Sequence, residues 1–586
     1  MSLFDSLKPD DFAHVQTYLQ TMHFPKDTRI VKQGSPGHGC YLVDKGKVRL
    51  EIDTAETDSN FVLGYLDPGM LLGEFSLIEE KPRSASAYAD TDVVARWLAT
   101  ADFRTICDQH PKAGTVILTN LARELTQKIQ IMNERVAGSI SSEKTPNEVD
   151  DVVARAVAAQ RAFEDWPEPQ VDILLRDIAE SIAEQAESLA VATVEETGYG
   201  VVAHKVAKIR FASLDVYKML SGRSGSGIFK TDEPTKITEI ASAMGVVLGL
   251  IPVTNPVPTM VFKALICLKA RNALIMSPHN KAVKLSSQAL EIIQDALCRH
   301  GAPVDLIQSI PAPTSRRKTS LFMLHKDVSF ILATGGPSMV RAAYSSGTPA
   351  IGVGAGNAPA WICADADVEK VAKIVVDSKS FDNGVICGSE NNLVVDASVR
   401  ESFMEALLAQ DATVLDSDEI ERFSAFVFDA KTGHLKRNVV GKSAEVILHG
   451  AGIHREDRVR LVVVPVDQDK VCGPYGLEKL APILSLFTVK GEAEGLALCK
   501  QILANQGSGH TAIVHTNNLD LATRFGLEMP VSRTLVNCPG SQGCIGLASG
   551  LTPSLTLGCG TYGGSSSTDN ISYINLLNIK RIAHAL

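Results

Sequence analysis

The stretch MGVVLGLIPVTNPVPTMVFKALICLKARNALIMSPH, residues 244–279, holds a strand-like apolar run, a turn at Thr254-Asn255-Pro256, a run of helical character, and a second strand-like run. The alternation continues downstream. NALIMSPH leads into KAVKLSSQALEIIQDALCRHG, and SFILATGG leads into PSMVRAAYSSG. Strands and helices in this order predict a parallel sheet with crossover helices, the doubly wound α/β class. Such sheets take ligands beyond the carboxyl ends of their strands, which is where Thr254, Asn255, Ser277, His279, Thr334, Gly335 and Gly336 are expected. Gly352, Gly354 and Gly356 in IGVGAGN do not make a dinucleotide fingerprint, because the third spacing is wrong and no helical pattern opens directly after them.

Working outward, DVVARAVAAQRAF and VDILLRDIAESIAEQAESLAVATVEETG are helical in period, and the polar stretch GSISSEKTPNEVD, residues 138–150, reads as a linker. At 586 residues the chain is too long for one core and suggests roughly three or four compact units. A formal net charge of −10 argues against an electrostatically driven nucleic-acid binder, and no nucleic-acid partner is expected. There is no run of about 18 apolar residues and no signal peptide, so no membrane contact is expected and the cytoplasm is the expected compartment. The eleven cysteines show no CxxC pair and no zinc-ligand spacing, so reduced thiols and no metal are expected.

From Thr28 to Trp97, short apolar runs broken by glycine turns predict a small antiparallel barrel or jelly roll. In KVRLEI, Val48, Leu50 and Ile52 alternate with Arg49 and Glu51, the period of a half-buried strand. In GEFSLIEEKPRSASAYA, residues 73–89, Arg83 is suited to clasp a phosphate and Glu74 to accept from sugar hydroxyls; a solvated loop accounts for the same pattern. The stretch from about Phe24 to Val136 resembles the cyclic nucleotide-binding domain family, and GEFSLIEEKPRSA resembles its phosphate-binding cassette. The resemblance implies cAMP or cGMP as ligand, held at Gly73, with Glu74 on the ribose 2′-hydroxyl and Arg83 with Ser84 on the cyclic phosphate. Leu118, Leu121, Leu125, Ile129, Met132 and Val136 mark one stripe of a helix from about Pro111, lying on its own barrel or forming a dimer seam. The linker follows where the transcription factors of this type have their helix-turn-helix.

ETGYGVVAHKVAKIRFAS, IPVTNPVPT, LATGGPSMVRAAYSSGTPAIGVGAGNAP, FDNGVICGSE and LTLGCGTYGG resemble the CoA-acylating aldehyde dehydrogenases, especially the aldehyde dehydrogenase half of the bifunctional aldehyde/alcohol enzymes. The resemblance implies a cyclic nucleotide-binding-like domain at 1–137, a linker at 138–149, a Rossmann-type NAD-binding domain at 150–350, a catalytic domain at 351–537 and a segment at 538–586 that completes the cofactor domain and makes oligomer contacts. The iron-dependent alcohol-forming domain of the bifunctional enzymes has no counterpart in these residues. A homo-oligomer acting on a small aldehyde, with NAD and coenzyme A, is expected. Acetaldehyde, propionaldehyde, succinic semialdehyde and sulfoacetaldehyde all have relatives with these motifs.

By this resemblance Cys387 is the nucleophile. A cysteine is a strong nucleophile once deprotonated, whereas most of the others are expected to be small buried hydrophobes. The oxyanion formed when Cys387 adds to the aldehyde is held by the Asn255 amide and a backbone N–H at Cys387, hydride leaves to NAD, and a thioester remains. Hydrolytic relatives attack that thioester with water activated by a glutamate; here Val353 or Gly354 falls at its place, which favours deacylation by the thiol of CoA. The readings set against this are a hydrolytic enzyme and a nucleotide-sensing scaffold with an idle dehydrogenase part. Glu478 in LEKLAPILS either holds the cofactor ribose or is a solvated surface acid. His510 in GSGHTA is a proton relay, an orderer of CoA, or a structural histidine. Ser277 stands where the wider superfamily often has a lysine for the adenosine ribose, which leaves NAD against NADP open. The run SRRK, residues 315–318, meets a CoA phosphate or is a solvated loop.

Overall fold

The computed structural model describes residues 3–4, 6–52, 61–78, 82–122, 147–430 and 432–585. The chain divides into two compact units, Met1–Lys144 and Thr145–Leu586.

The first unit holds two four-stranded antiparallel sheets. One runs in the order Gln20–Phe24, Val93–Ala99, Gly39–Lys45, Leu71–Leu72; the other runs Arg29–Val31, Ser86–Ala89, Val48–Ile52, Phe61–Leu66. Their apolar faces form cores around Leu42, Leu98 and Ile106, and around Val43, Val48 and Ala95. The polar side of KVRLEI differs from the sequence expectation, since Glu51 is buried and receives the Arg49 guanidinium at 2.7 Å. An ion pair, rather than water, satisfies that face. The helical residues 111–122 follow the expected stripe at Leu121 but not at Leu118. Ile117 and Leu121 sit in the core, whereas Leu118 is 45% exposed, because one residue is about 100° of rotation on a helix. Leu125, Ile129, Met132 and Val136, and most of the linker, lie outside the described residues.

The second unit contains the sheets expected from the strand–helix alternation. The stretch quoted at the outset gives the strand Val246–Ile251, the helix Pro256–Lys269 and the strand Ala273–Pro278. The helix is buried along its whole length, and proline at its first turn suits its N-terminus, where one N–H has no partner in any case. Its two lysines are satisfied internally: Lys263 Nζ donates to Leu250 O at 2.7 Å and Leu332 O at 2.8 Å, and Lys269 Nζ meets Asp172 at 2.6 Å. A five-stranded parallel sheet runs in the order Ile307–Ser309, Ala273–Pro278, Val246–Ile251, Phe330–Ala333, Ala350–Gly352. A seven-stranded parallel sheet draws its strands from residues 358–536, in the order Ala412–Val414, Leu461–Pro465, Ile483–Val489, Glu390–Asp396, Ala358–Ile362, Gly509–His515, Val531–Val536. A three-stranded antiparallel sheet joins Leu577–Ala583 to Ile237–Ala243 and then to Gly227–Asp232.

Residues after 538 return to the five-stranded sheet. Tyr573 and Leu576 enter its core, and Asn272 Nδ2 donates to Leu576 O at 2.9 Å. SRRK is not a loop. Ser315 caps the helix Arg316–Met323, accepting from Lys318 N at 3.1 Å, so the basic residues form a first helical turn. Among the described residues no helix is long and apolar enough to cross a membrane, and no group of three His, Cys, Asp or Glu side chains is placed to hold a metal ion. All eleven cysteines are free thiols.

Candidate active site

The two large sheets present opposite ends to one region. Thr254 and Asn255 follow the carboxyl end of Val246–Ile251 and Thr334 follows that of Phe330–Ala333, while Cys387 and His510 stand at the amino ends of Glu390–Asp396 and Gly509–His515.

Cys387 is set by its approach. Asp382, Asn383 and Gly384 have φ of 52°, 54° and 73°, so two non-glycine residues in succession occupy the left-handed region. That conformation costs energy and persists only where the surroundings hold it. Asp382 supplies the hold. Its Oδ1 accepts from Val201 N at 2.9 Å, its Oδ2 receives Lys205 Nζ at 2.8 Å and also Lys208 Nζ, and its own N–H donates to His204 Nδ1 at 2.9 Å. Gly200 lies so close that an added Cβ would sit 2.1 Å from Asp382 Oδ1. On the other side Asn383 Nδ2 donates to Gly441 O at 2.9 Å. Burial presses the Asp382 carboxyl upward, but the charges of Lys208 and Lys205 outweigh it and hold it below the usual range; burial pulls Lys208 down.

Cys387 Sγ lies 3.2 Å from His510 Nε2, and His510 Nδ1 lies 2.9 Å from Thr511 Oγ1. His510 is fully buried, and burial together with the nearby charge of Arg533 pulls it down to about 3, so the ring is neutral at working pH. Burial pushes the Cys387 thiol well above its ordinary value, Cys544 and Glu478 add to this, and Arg533 opposes it. The resting pair is therefore a thiol and a neutral imidazole. Arg533 is anchored by Nη2 to Gly558 O at 2.6 Å and by Nη1 to Asn570 Oδ1 at 3.2 Å.

Asn255 sits at the N-cap of Pro256–Lys269 but does not cap it, although asparagine is among the best capping residues. Its amide is diverted. Oδ1 receives Lys208 Nζ, and Nδ2 donates to Val385 O at 3.1 Å, two residues before Cys387. Glu478 is half-buried, not a solvated surface acid. Burial pushes it up to about 7, against the pull of Lys379 and of the Gly356 N–H. Gly356 fits only as glycine, since an added Cβ would lie 1.7 Å from Cys387 O. The segment GVGAGN thus serves close packing against the cysteine, with Val353 N bonded to Ala333 O at 3.1 Å.

Ser277, His279, Gly335 and Gly336 lie farther out along the five-stranded sheet. Ser277 Oγ pairs with Thr319 Oγ1 at 2.8 Å, His279 caps a short turn by accepting from Lys281 N at 3.2 Å, and Thr334 Oγ1 lies 3.2 Å from Thr556 Oγ1. Gly336 is the N-cap of Pro337–Ser345, and a Cβ placed there would meet nothing within 4 Å. Lys205, Lys208, Asp382 and Arg533 are the residues that the sequence reading missed. The signal for two of them lies in HKVAK, where lysines three apart fall on one helical face among apolar residues.

In the first unit Arg83 and Glu74 are both buried, and Ser84 is exposed. Arg83 Nη1 donates to Gly73 O at 3.2 Å and Ser76 Oγ at 3.1 Å, and Nη2 donates to Gly39 O at 2.8 Å. A cavity of about 380 Å³ beside it is lined by Arg29, Lys32, His38, Tyr41 and Trp97. Arg83→Ala should destabilise this unit by about 1–3 kcal/mol even without ligand, because buried carbonyls lose their donor; the unfolding midpoint of the first thermal transition checks this.

Residues 120–556 match the family model described as the aldehyde dehydrogenase family, and residues 21–110 match that of the cyclic nucleotide-binding domain. The bifunctional aldehyde-alcohol dehydrogenase AdhE of Escherichia coli (strain K12) is 38% identical over 441 residues, covering 74% of this chain and 49% of that protein. The chain thus spans about half the length of this relative. Among solved structures, an acetylating aldehyde dehydrogenase from Geobacillus thermoglucosidasius is 39% identical with a TM-score of 0.73, over 76% of this chain and 97% of that one. A propionaldehyde dehydrogenase from Rhodopseudomonas palustris, solved with bound CoA and an acylated cysteine, is 26% identical with a TM-score of 0.69, over 74% and 97% of the respective chains.

Proposed function

From the premise that the chain belongs to the aldehyde dehydrogenase family, we propose that it oxidises a short aldehyde such as acetaldehyde to the acyl-CoA thioester, with NAD as hydride acceptor and Cys387 as nucleophile. The observation that carries this reading is the 3.2 Å contact between Cys387 Sγ and His510 Nε2, beside an Asn255 amide whose donor side faces the cysteine loop.

His510 takes the thiol proton as Cys387 Sγ adds to the carbonyl carbon. An imidazolium is poorly tolerated at this buried site, so His510 releases the proton to solvent as the hydride leaves and the carbonyl re-forms. The Asn255 Nδ2–H and the Cys387 N–H hold the oxyanion. NAD, when bound, accepts the hydride that re-forms the carbonyl. Cys387 then carries a thioester at the oxidation level of the acid. The incoming CoA thiol gives its proton to His510 and its sulfur to the acyl carbon, and Cys387 leaves taking that proton back from His510, which restores the thiol and the neutral imidazole. Water is the weaker competitor, because residues 353 and 354 are Val and Gly, and a glutamate is needed there in the hydrolytic reading. The acylated cysteine of the Rhodopseudomonas palustris enzyme supports the same course.

The test is NADH formation across a panel of short aldehydes with and without CoA. Without CoA a burst of about one NADH per active site should stall, and adding CoA should restore turnover at least about 100-fold above the stalled rate. Sustained CoA-independent turnover yielding free acid would sink the acylating assignment.

The first unit matches the cyclic nucleotide-binding domain, and Gly73, Glu74, Arg83 and Ser84 fall in cassette order, which supports cAMP or cGMP as a regulatory ligand. Coupling of this kind is worth typically about 1–3 kcal/mol, so a several-fold change in substrate affinity is expected. Arg83 commits three of its five N–H donors to Gly73 O, Ser76 Oγ and Gly39 O, which leaves the Nε–H and one Nη2–H for a ligand phosphate. Calorimetry showing no heat with either nucleotide, with kinetics unchanged at saturation, would make the unit a structural appendage.

A further inference from the structure

We propose that Lys208 is a positioning residue for this reaction, fixing which side of the Asn255 amide faces the reacting carbonyl; this rests on the oxyanion role given to Asn255 above. Lys208 Nζ touches Asn255 Oδ1 and Asp382 Oδ2, and its side chain is 1% exposed. An ammonium has three donors and no acceptor, so the amide atom against it is the oxygen. The amide nitrogen is then turned to the opposite side, where it donates to Val385 O at 3.1 Å on the loop leading to Cys387. A flipped amide would place its carbonyl lone pairs toward the developing oxyanion, turning a donor into a repulsion. Asn255 has no other fixed polar partner of that strength; its Thr254 Oγ1 contact is 3.5 Å.

The cluster is not explained by packing. Lys205 and Lys208, both buried, face the single carboxylate of Asp382, so two amines share one counter-charge and burial pulls Lys208 down to about 7. Isolated buried charge is costly, and an apolar pair would serve packing better. Lys205 also donates to Thr254 O at 2.6 Å, and His204 Nδ1 accepts from Asp382 N, so Lys208 alone in this cluster bonds the Asn255 side chain. The same ammonium joins the two elements whose register matters: the helix start that carries Asn255 and the left-handed turn at Asp382 and Asn383 that aims Cys387.

The experiment is a double-mutant cycle on the full chain, reading the single-turnover NADH burst with acetaldehyde and saturating NAD. Asn255→Ala should slow the burst about 100-fold. Lys208→Met should slow it about 10-fold or more in the native background and less than about twofold in the Asn255→Ala background. NAD affinity should stay within about twofold in all variants, and Lys208→Arg, which also only donates, should recover part of the rate. If Lys208→Met does not fold, Lys208→Gln takes its place, since glutamine also offers an acceptor and releases the constraint. Equal fractional losses in both backgrounds would overturn the inference while leaving the oxyanion role of Asn255 intact. A normal burst in Asn255→Ala would remove that role and the inference with it.

Discussion

Replacing Cys387 by alanine lowers NADH formation at least about 10⁴-fold, with NAD affinity and the unfolding midpoints close to those of the native chain. The size of the loss follows from chemistry, because without the sulfur neither the tetrahedral adduct nor the thioester forms. The small structural cost follows from place: Cys387 is half-buried and contributes only the edge of an apolar cluster. No neighbouring thiol substitutes for it. Cys544 packs against Gly388, where an added Cβ would meet its sulfur at 2.2 Å, but it is fully buried and its thiol is pushed up to about 12. Steady-state kinetics, NAD titration and a thermal melt on one preparation check all parts. Native-like turnover would mean that another cysteine does the chemistry.

His510→Ala lowers the burst rate about 10²- to 10⁴-fold, the range for losing a proton-transferring group. Its pH signature distinguishes two resting states. Burial raises Cys387, so the thiol persists at low pH and the thiolate grows as pH rises; His510, held down to about 3, stays neutral throughout. Alkylation of the cofactor-free enzyme by iodoacetamide should therefore accelerate about tenfold per pH unit from about pH 6 to 9, with no plateau. A flat rate across the lower half of that range would reveal a standing thiolate–imidazolium pair, contrary to the buried, electropositive setting of His510.

The fold was legible where burial alone dictates sequence. GVVLGLI and FKALICLK have no polar face to assign, and strand and helix follow from length and order. Cys387 and Asn255 were singled out through their motifs, and the structure adds that Asn255 Nδ2 donates to Val385 O on the loop leading to Cys387. Charge placement was illegible. HKVAK enters the sequence reading only as part of a family motif, because in a linear pattern a lysine signals solvent. Only Asp382, about 175 positions later, draws Lys205 and Lys208 inward. Arg49 and Glu51 misled for the same reason, since two opposite charges on one strand face can satisfy each other. SRRK looked like a loop because its apolar residues begin only after the basic turn, yet Ser315 is a capping residue by type.

The edge sheet has a consequence for synthesis. Leu577–Ala583 pairs along the whole of Ile237–Ala243, and Arg581 Nε bonds Glu239 Oε1 at 3.0 Å across 342 positions of sequence. At ~5–20 residues per second, the Ile237–Ala243 edge emerges from the ribosome roughly 20–70 s before its partner. Over that interval the nascent chain carries an open strand edge, the feature most prone to pairing with another chain. Soluble yield of this protein should therefore depend steeply on chaperone supply and on translation rate, and the first aggregates should be rich in chains interrupted between these two strands.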